Sequence, residues 1–264
     1  MTRYRFDYLY RPGRTLAEPA LHELSREISA LGARCLEPLP DYQVFLGTRD
    51  AFADKIVTTA RDSDGTLVAF CSCVLLPMQA GEVLHLGLTC VAPELRGSRL
   101  SSTLAQRLIT RYYVTQKLYR RLWMTSVACV LSVLGNVACR FRRVYPTPWQ
   151  LRPFSSDVDA IASEFDRRFR HVAYVRPDAT FDRETFVFRG SGRGTAFQKE
   201  AEAVEFHHRD PALNEFYKRR LRFEDGDELL QIACFDLLDV VRYPIDDLLA
   251  IGRRRASQRT GGHA

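Results

Sequence analysis

Fourteen residues, Val91 to Leu104 (VAPELRGSRLSSTL), carry the residue types that can hold a phosphate. An apolar, strand-like run precedes them and an amphipathic, helix-like run follows. Between the two, Arg96-Gly97-Ser98 reads as a turn. It places backbone amides and a helix N-terminus where an anion can settle. Such a set of groups suits a pyrophosphate and implies a nucleotide-bearing cofactor. The charge pattern agrees. From Leu95 to Ser156 there is no Asp or Glu, while Lys or Arg stands at eleven positions: 96, 99, 107, 111, 117, 120, 121, 140, 142, 143 and 152. The rest of the chain holds 27 basic against 32 acidic residues, so this one segment supplies the whole net charge of +6. A field of that kind steers polyanions: a cofactor phosphate, nucleic acid or an anionic membrane surface.

A turn of this sort needs a strand to deliver it and a helix to carry it away. Thr66–Leu76 and Glu82–Val91 are dense in strand formers, and the short turn at Pro77–Gly81 makes them an antiparallel pair. From Leu100 the apolar residues Leu100, Leu104, Leu108 and Tyr112 recur every four, which is helical spacing. Leu122–Val127 reads as a buried strand, and Leu131, Leu134, Val137, Ala138 and Phe141 as the apolar face of a second helix. Strand, strand, helix, strand, helix predicts a mixed α/β (α+β) fold whose central sheet is at least partly parallel and flanked by helices. Upstream, residues 1–14 read as an extended arm that turns at Arg11-Pro12-Gly13. Leu16–Leu31 reads as a helix with Gly32 as its C-terminal cap, Tyr42–Leu46 as a short strand, and Ala51–Ala60 as a helix or a strand. Downstream, Val158–Phe169 and Pro211–Leu221 are helical, the latter capped by Asp210. Thr185–Phe188 is strand-like, and the apolar run Leu229–Leu238 takes no element from its pattern.

Length and composition bound the class. With 264 residues, 46% hydrophobic and 27% charged, the chain can build a sizeable core and is not disordered as a whole. The expected organisation is a domain over 1–148, a C-terminal elaboration over 149–252 packed on it, and a disordered basic tail over 253–264. Seven cysteines without metal-like or secreted spacing point to a reduced, cytoplasmic protein, and Cys71-x-Cys73 shares one strand face. The N-terminus lacks an apolar signal-peptide core. Leu122–Cys139 has no charge, but Thr125, Ser126, Ser132, Gly135 and Asn136 favour a buried strand and helix over a membrane span. Gly190–Thr195 lacks the Lys-Ser/Thr of a phosphate loop and reads as a flexible surface loop. His207-His208 has no partners at metal spacing, so no metal is expected.

The 91–104 segment resembles motif A of the GCN5-related N-acetyltransferase (GNAT) superfamily. There a strand ends in Val-x-Pro, here Val91-Ala92-Pro93, and a glycine-containing turn opens a helix, here Arg96-Gly97-Ser98-Arg99-Leu100-Ser101. Position 99, where the family has Gly, is Arg, and position 101 is Ser rather than Gly or Ala. Order and spacing match over about residues 40–146. The resemblance implies an acyl-CoA N-acyltransferase fold with acetyl-CoA or another acyl-CoA as co-substrate. Main-chain groups of Thr89, Cys90 and Val91 would then meet the pantetheine arm. The turn from Arg96 through Gly97, Ser98, Arg99 and Leu100 to Ser101 would hold the pyrophosphate, with Asn136 on the following helix.

For the reaction, the acceptor amine must lose a proton, the thioester carbonyl must be polarised, and the thiolate must leave. The family's usual strand carboxylate falls at Gly87, and the strand's only acid, Glu82, sits near its start. His85 is the candidate base, with an unperturbed pKa suited to the task. The family's helix Tyr aligns with Arg143, leaving Tyr145, two residues on, as the candidate acid for the thiolate. Cys90 or Cys129 as an acyl-accepting nucleophile lacks a paired base. The expected function is transfer of an acyl group from a CoA thioester to a small-molecule or peptide amine, with residues 150–264 closing over the acceptor or making a homodimer contact. Two readings stand beside it: a GNAT-fold acyl-CoA sensor without catalysis, and a nucleic-acid binder using residues 95–156.

Overall fold

The computed structural model describes residues 4–117 and 120–240; the tail expected at 253–264 and the last part of the 149–252 region lie outside the described residues. Nine strands share one sheet: β1 (Arg5–Tyr10), β2 (Lys55–Arg61), β3 (Leu67–Met78), β4 (Gly81–Val91), β5 (Leu122–Ala128), β6 (Arg143–Tyr145), β7 (Thr180–Asp182), β8 (Val187–Arg189) and β9 (Glu228–Phe235). Their spatial order is β1-β2-β3-β4-β5-β9-β8-β7, with β6 on β9 beside β8. Every pairing is antiparallel except β4 with β5, which is parallel. A parallel step needs a long crossover, and α4 (Leu100–Tyr112), which follows the short α1 (Pro12–Thr15), α2 (Glu18–Ala33) and α3 (Arg49–Ala53), supplies it.

Helices cover both faces. Leu24 and Ile28 of α2 and Leu104 and Leu108 of α4 close one face over Phe70, Leu84, Met124 and Phe235. Past α5 (Leu131–Arg140) comes α6 (Ser156–Arg168), whose Val158, Ile161 and Phe165 close the other face over Val74, Val83 and Ile232. Against α5 lies α7 (Pro211–Lys218), with Leu131 and Leu134 meeting Leu213, Tyr217 and Leu229. Each such fully buried side chain contributes about 1.5–3 kcal/mol before entropy is counted.

The apolar run that took no element from its pattern is β9, in the middle of the sheet. All eight of its residues are buried. Covered on both faces, it has no polar alternation to betray a strand. The sheet therefore runs through the expected boundary at residue 148 without a break.

Several local expectations are corrected. Tyr42–Leu46 is a 3-10 helix over Gln43–Leu46 rather than a strand, with Gln43 at φ +48°. Ala51–Ala60 divides between α3 and β2. The 190–195 segment is tied down: Ser191 is 0% exposed, Gly190 N donates to Asp227 Oδ1 (3.0 Å) and Gly192 N donates to Gly226 O (2.7 Å). Its acceptors lie more than thirty residues downstream, beyond the reach of local reading.

Gly32 is inside α2 rather than beyond it. A Cβ there would fall 2.3 Å from the Phe45 ring. Ala inside a helix normally gains about 1 kcal/mol over Gly. Here Gly32→Ala is expected to lower stability by about 1–3 kcal/mol through overpacking. A denaturant midpoint that rises on substitution would contradict the packing role.

Candidate functional site

The parallel pair β4/β5 is brief. Only Leu84↔Met124 and His85↔Thr125 are paired, after which β5 continues alongside β9 alone. The reason lies in β4. Its register on β3 moves from Cys73↔Leu86 to Cys71↔Thr89, so Gly87 and Leu88 together oppose Ser72. That extra residue is a β-bulge, which bends the strand and increases its twist. Among the described residues β4 has no strand partner on the β5 side from Leu86 to Val91, so the two strands part there and leave a cleft between them.

The 96–101 turn lies past the end of β4. A 3-10 turn at Pro93–Leu95 leads to Gly97 (φ +80°) and Arg99 (φ +68°), and α4 begins at Leu100. Both residues are left-handed, which explains the glycine at 97, where an added Cβ would meet nothing within 4 Å. Arg99 adopts the conformation that favours glycine, at a cost of roughly 1 kcal/mol. Arg96 N and Ser98 N close the turn onto Pro93 O and Leu95 O. The amides of Gly97, Arg99, Leu100 and Ser101 donate to no acceptor among the described residues. The first turn of α4 has no acidic residue. Four free N–H groups, a helix N-terminus and no competing carboxylate make an anion cradle. Arg140 adds a cation, its Nη1 donating to Ser102 O in that same first turn (3.0 Å). Asn136 lies one turn before Arg140 on the exposed side of α5.

Residues 21–132, from α2 into the start of α5, match the model of the acetyltransferase (GNAT) family. Over that stretch, less than half of its length, the chain is similar to the GNAT acetyltransferases. Solved GNAT structures are similar to it at low identity. An Escherichia coli GNAT N-acetyltransferase (YhbS) in complex with CoA is 14% identical, covers 48% of this chain and 64% of its own, and has a TM-score of 0.37. A Brucella melitensis GNAT acetyltransferase with acetyl-CoA is 13% identical over 47% of this chain and 75% of its own, at 0.35. A Trypanosoma brucei acetyltransferase is 17% identical over 57% and 98%, at 0.37. This chain thus spans less than two thirds of the YhbS structure. No curated protein matches.

Thr89, Cys90 and Val91 lie on the free stretch of β4, with Thr89 exposed and Cys90 buried. The Cys35 thiol donates to Val91 O (3.4 Å) and pairs with Cys90; that pairing and the nearby Arg96 and Arg34 hold the Cys35 pKa down at about 7. The basic segment divides on folding. Arg107 and Arg111 stack on Phe6 and Tyr8 of β1 (4.3 and 4.7 Å to the ring centroids), and Arg142 and Arg143 pair with Asp236. Of the eleven cations, Arg96 and Arg99 lie in the turn itself and Arg140 bonds to the first turn of α4.

His85 and Tyr145 stand on the sheet face that α6 covers. Across the strands they fall in one row, His85–Thr125–Ile232–Tyr145, three strand spacings apart. At about 4.8 Å per strand this separates them by roughly 14 Å, too far to act on one bond together. His85 is 2% exposed, bonded through Nδ1 to Thr125 Oγ1 (3.0 Å) and tilted against the Phe165 ring (5.3 Å between centroids). Burial first, and then the charge of Lys55, lower its pKa to about 3, so it stays neutral and is a poor proton acceptor. Tyr145 packs edge-on against Phe186 (4.7 Å), and burial raises its pKa.

The groups that do converge on the cleft were not legible in the sequence. At Gly87, where the family places its carboxylate, a Cβ would fall 2.4 Å from Gln43 Oε1. The Gln43 side chain therefore occupies the space of the missing side chain. Its Nε2 donates to Tyr42 Oη (2.6 Å) and Val172 O (2.8 Å), while Oε1 is buried without a partner. Across the cleft the Cys129 thiol, just past β5, donates to Phe197 O (3.2 Å), and the Phe197 ring packs edge-on against Tyr42 and Tyr174. One residue past the last β5/β9 pair, Ala128↔Leu229, Glu228 stands close enough for its charge to act on Cys129; it is buried, with Ser191 Oγ donating to its Oε2 (2.5 Å).

Proposed function

We propose that this chain is an acyl-CoA-dependent N-acyltransferase, moving an acyl group, in the first instance acetyl, from CoA to an amine. The observation that carries this reading is the cradle of four free amides at the N-terminus of α4, beside the mouth of the β4/β5 cleft. A pyrophosphate in the cradle would accept from Gly97, Arg99, Leu100 and Ser101, with Arg96, Arg99 and Arg140 to balance its charge. The unpaired edge of β4 at Thr89, Cys90 and Val91 offers main-chain groups to the amides of the pantetheine arm. That leads the thioester toward the bulge at Gly87 and the polar groups around it. Asn136, exposed on α5 above the same opening, is within this reading a contact for the arm. The seven free cysteines suit a reduced, cytoplasmic setting.

The test is calorimetric titration of the full chain with acetyl-CoA, CoA and dephospho-CoA. Saturable binding of all three is expected, because the pyrophosphate is common to them. No heat and no thermal shift at millimolar acetyl-CoA would overturn the reading. Binding that never leads to thiol release would instead support a sensor.

A further inference from the structure

Strand alternation puts Glu228, Leu230 and Ile232 of β9 on the α6 side of the sheet, the side on which His85 also lies. Gly87, two residues beyond His85 and at the bulge, opens to the Gln43 side chain there. Two buried polar side chains therefore stand on that side of the sheet, one beside β4 and one on β9. Gln43 Oε1 is on the β4 flank, an acceptor with nothing to accept from. Glu228, bonded to Ser191, is on the β9 flank. Tyr42 links the two: it is bonded to Gln43, and the charge of Glu228 raises its pKa further after burial has done most of the work. Gln43 also sits at φ +48°, a backbone conformation costly for a side-chain-bearing residue. Such strain persists where the surrounding structure requires that side chain in that place.

Resting on the acyltransferase reading, we propose that Glu228 takes the proton from the acceptor amine, while Gln43 Oε1 accepts a second N–H of the same amine. In the step, the nitrogen lone pair forms the C–N bond to the thioester carbonyl carbon. The C–S bond breaks with its electron pair going to the CoA sulfur, and the nitrogen's proton passes to a Glu228 oxygen. Glu228 then returns that proton to solvent, and the thiolate gains one. No ion pair of Glu228 occurs among the described residues; Ser191, Tyr42 and Cys129 face it, with Lys199 next to Cys129. Burial raises its pKa to about 7, the Ser191 bond opposing the rise. A carboxyl in that range is a stronger base than an ordinary surface carboxylate and is ionised above neutrality. Cys129, pushed up to about 12 chiefly by burial and then by Glu228, stays a thiol. Ser191 is a positioning residue.

The experiment follows thiol release from acetyl-CoA with butylamine, spermidine, a lysine-bearing peptide and an N-terminal alanine peptide, from pH 5.5 to 9. Wild type, Glu228→Gln, Ser191→Ala and Gln43→Ala are compared, with acetyl-CoA affinity measured calorimetrically on each. With the best amine, Glu228→Gln is expected to lose at least 100-fold in kcat, a typical general-base contribution, with acetyl-CoA affinity unchanged. Wild-type kcat should rise through about pH 7. That limb should move to higher pH in Ser191→Ala, which a purely structural role for the hydroxyl would not cause. Gln43→Ala should raise KM for the amine more than it lowers kcat. Turnover within threefold of wild type in Glu228→Gln, or an unshifted limb in Ser191→Ala, would overturn the assignment and leave the acyltransferase reading standing. Acetyl-CoA binding without release to any amine would overturn the assignment too. Absence of acetyl-CoA binding would overturn both.

Discussion

Ser101→Asp is expected to weaken acetyl-CoA binding by about 100-fold and, in the same protein, to raise thermal stability. The two effects have opposite signs because one carboxylate meets two partners. Ser101 is exposed in the first turn of α4, where no acidic side chain answers the positive end of the helix. A carboxylate there interacts favourably with the unpaired amides, worth about 0.3–1 kcal/mol. The same carboxylate would stand where the pyrophosphate is proposed to bind. Two unit charges about 4 Å apart repel by about 4 kcal/mol at an effective dielectric constant near 20. Solvent exposure reduces that, and about 2–3 kcal/mol corresponds to a loss of one to two orders of magnitude in Kd. Ser101→Ala controls for the loss of the hydroxyl. Calorimetry with acetyl-CoA and a melting curve on each variant read both effects. Unchanged affinity in Ser101→Asp would move the anion site away from α4.

Asp227→Ala is expected to cost about 3–5 kcal/mol of folding stability, the largest effect of any single polar substitution considered. Asp227 is 0% exposed. It accepts from Arg189 Nη1 (2.7 Å), Gly190 N (3.0 Å), Arg222 N (3.1 Å) and Arg222 Nε (3.3 Å). Burial by itself pushes its pKa up, but the bonds from Arg189, Arg222 and Gly190 outweigh this and hold it below the usual carboxylate range. A depressed native pKa means that the stabilisation is fully present above the unfolded value and is lost as pH falls through the native one. Removing the carboxylate leaves Arg189 with Asp182 as its other carboxylate partner, takes the acceptor from Gly190 N and Arg222 N, and frees the backbone of the 190–193 loop. Ser191 belongs to that loop, so its bond to Glu228 should loosen with it. A denaturant midpoint that falls by less than about 1 kcal/mol would show that the loop is held by other means. A loss that shrinks between pH 7 and pH 3 would confirm the sign.

Much of the scaffold was legible from local patterns. The antiparallel hairpin of β3 and β4, the helix from Leu100, β5 and α5 all announce themselves through apolar periodicity bounded by turn residues. The turn proposed to hold a phosphate was legible for the same reason. Its glycine, its neighbouring arginines and its absence of acids all lie within a few residues of one another. The departure at Arg99 was legible as well, since the structure places that residue in the left-handed conformation a glycine normally takes.

What defeated the sequence was distance along the chain. Gln43 reaches Gly87 from a 3-10 turn that pattern alone reads as a strand. Glu228 and Ser191 meet across 37 positions. Glu228 does stand as an acid at the head of an apolar run, a weak signal that a strand begins with something other than packing. His85 had the right intrinsic chemistry and the wrong surroundings, because α6 covers its side of the sheet and keeps it dry. The sequence by itself determined the α/β alternation, the family resemblance and the turn that opens α4, since these rest on propensities and spacings that act over one or two turns of chain. Only the tertiary structure decided which titratable groups border the cleft and which are buried beneath a helix. Burial and proximity, which set a pKa and a reach, arise from contacts between segments that no local pattern records.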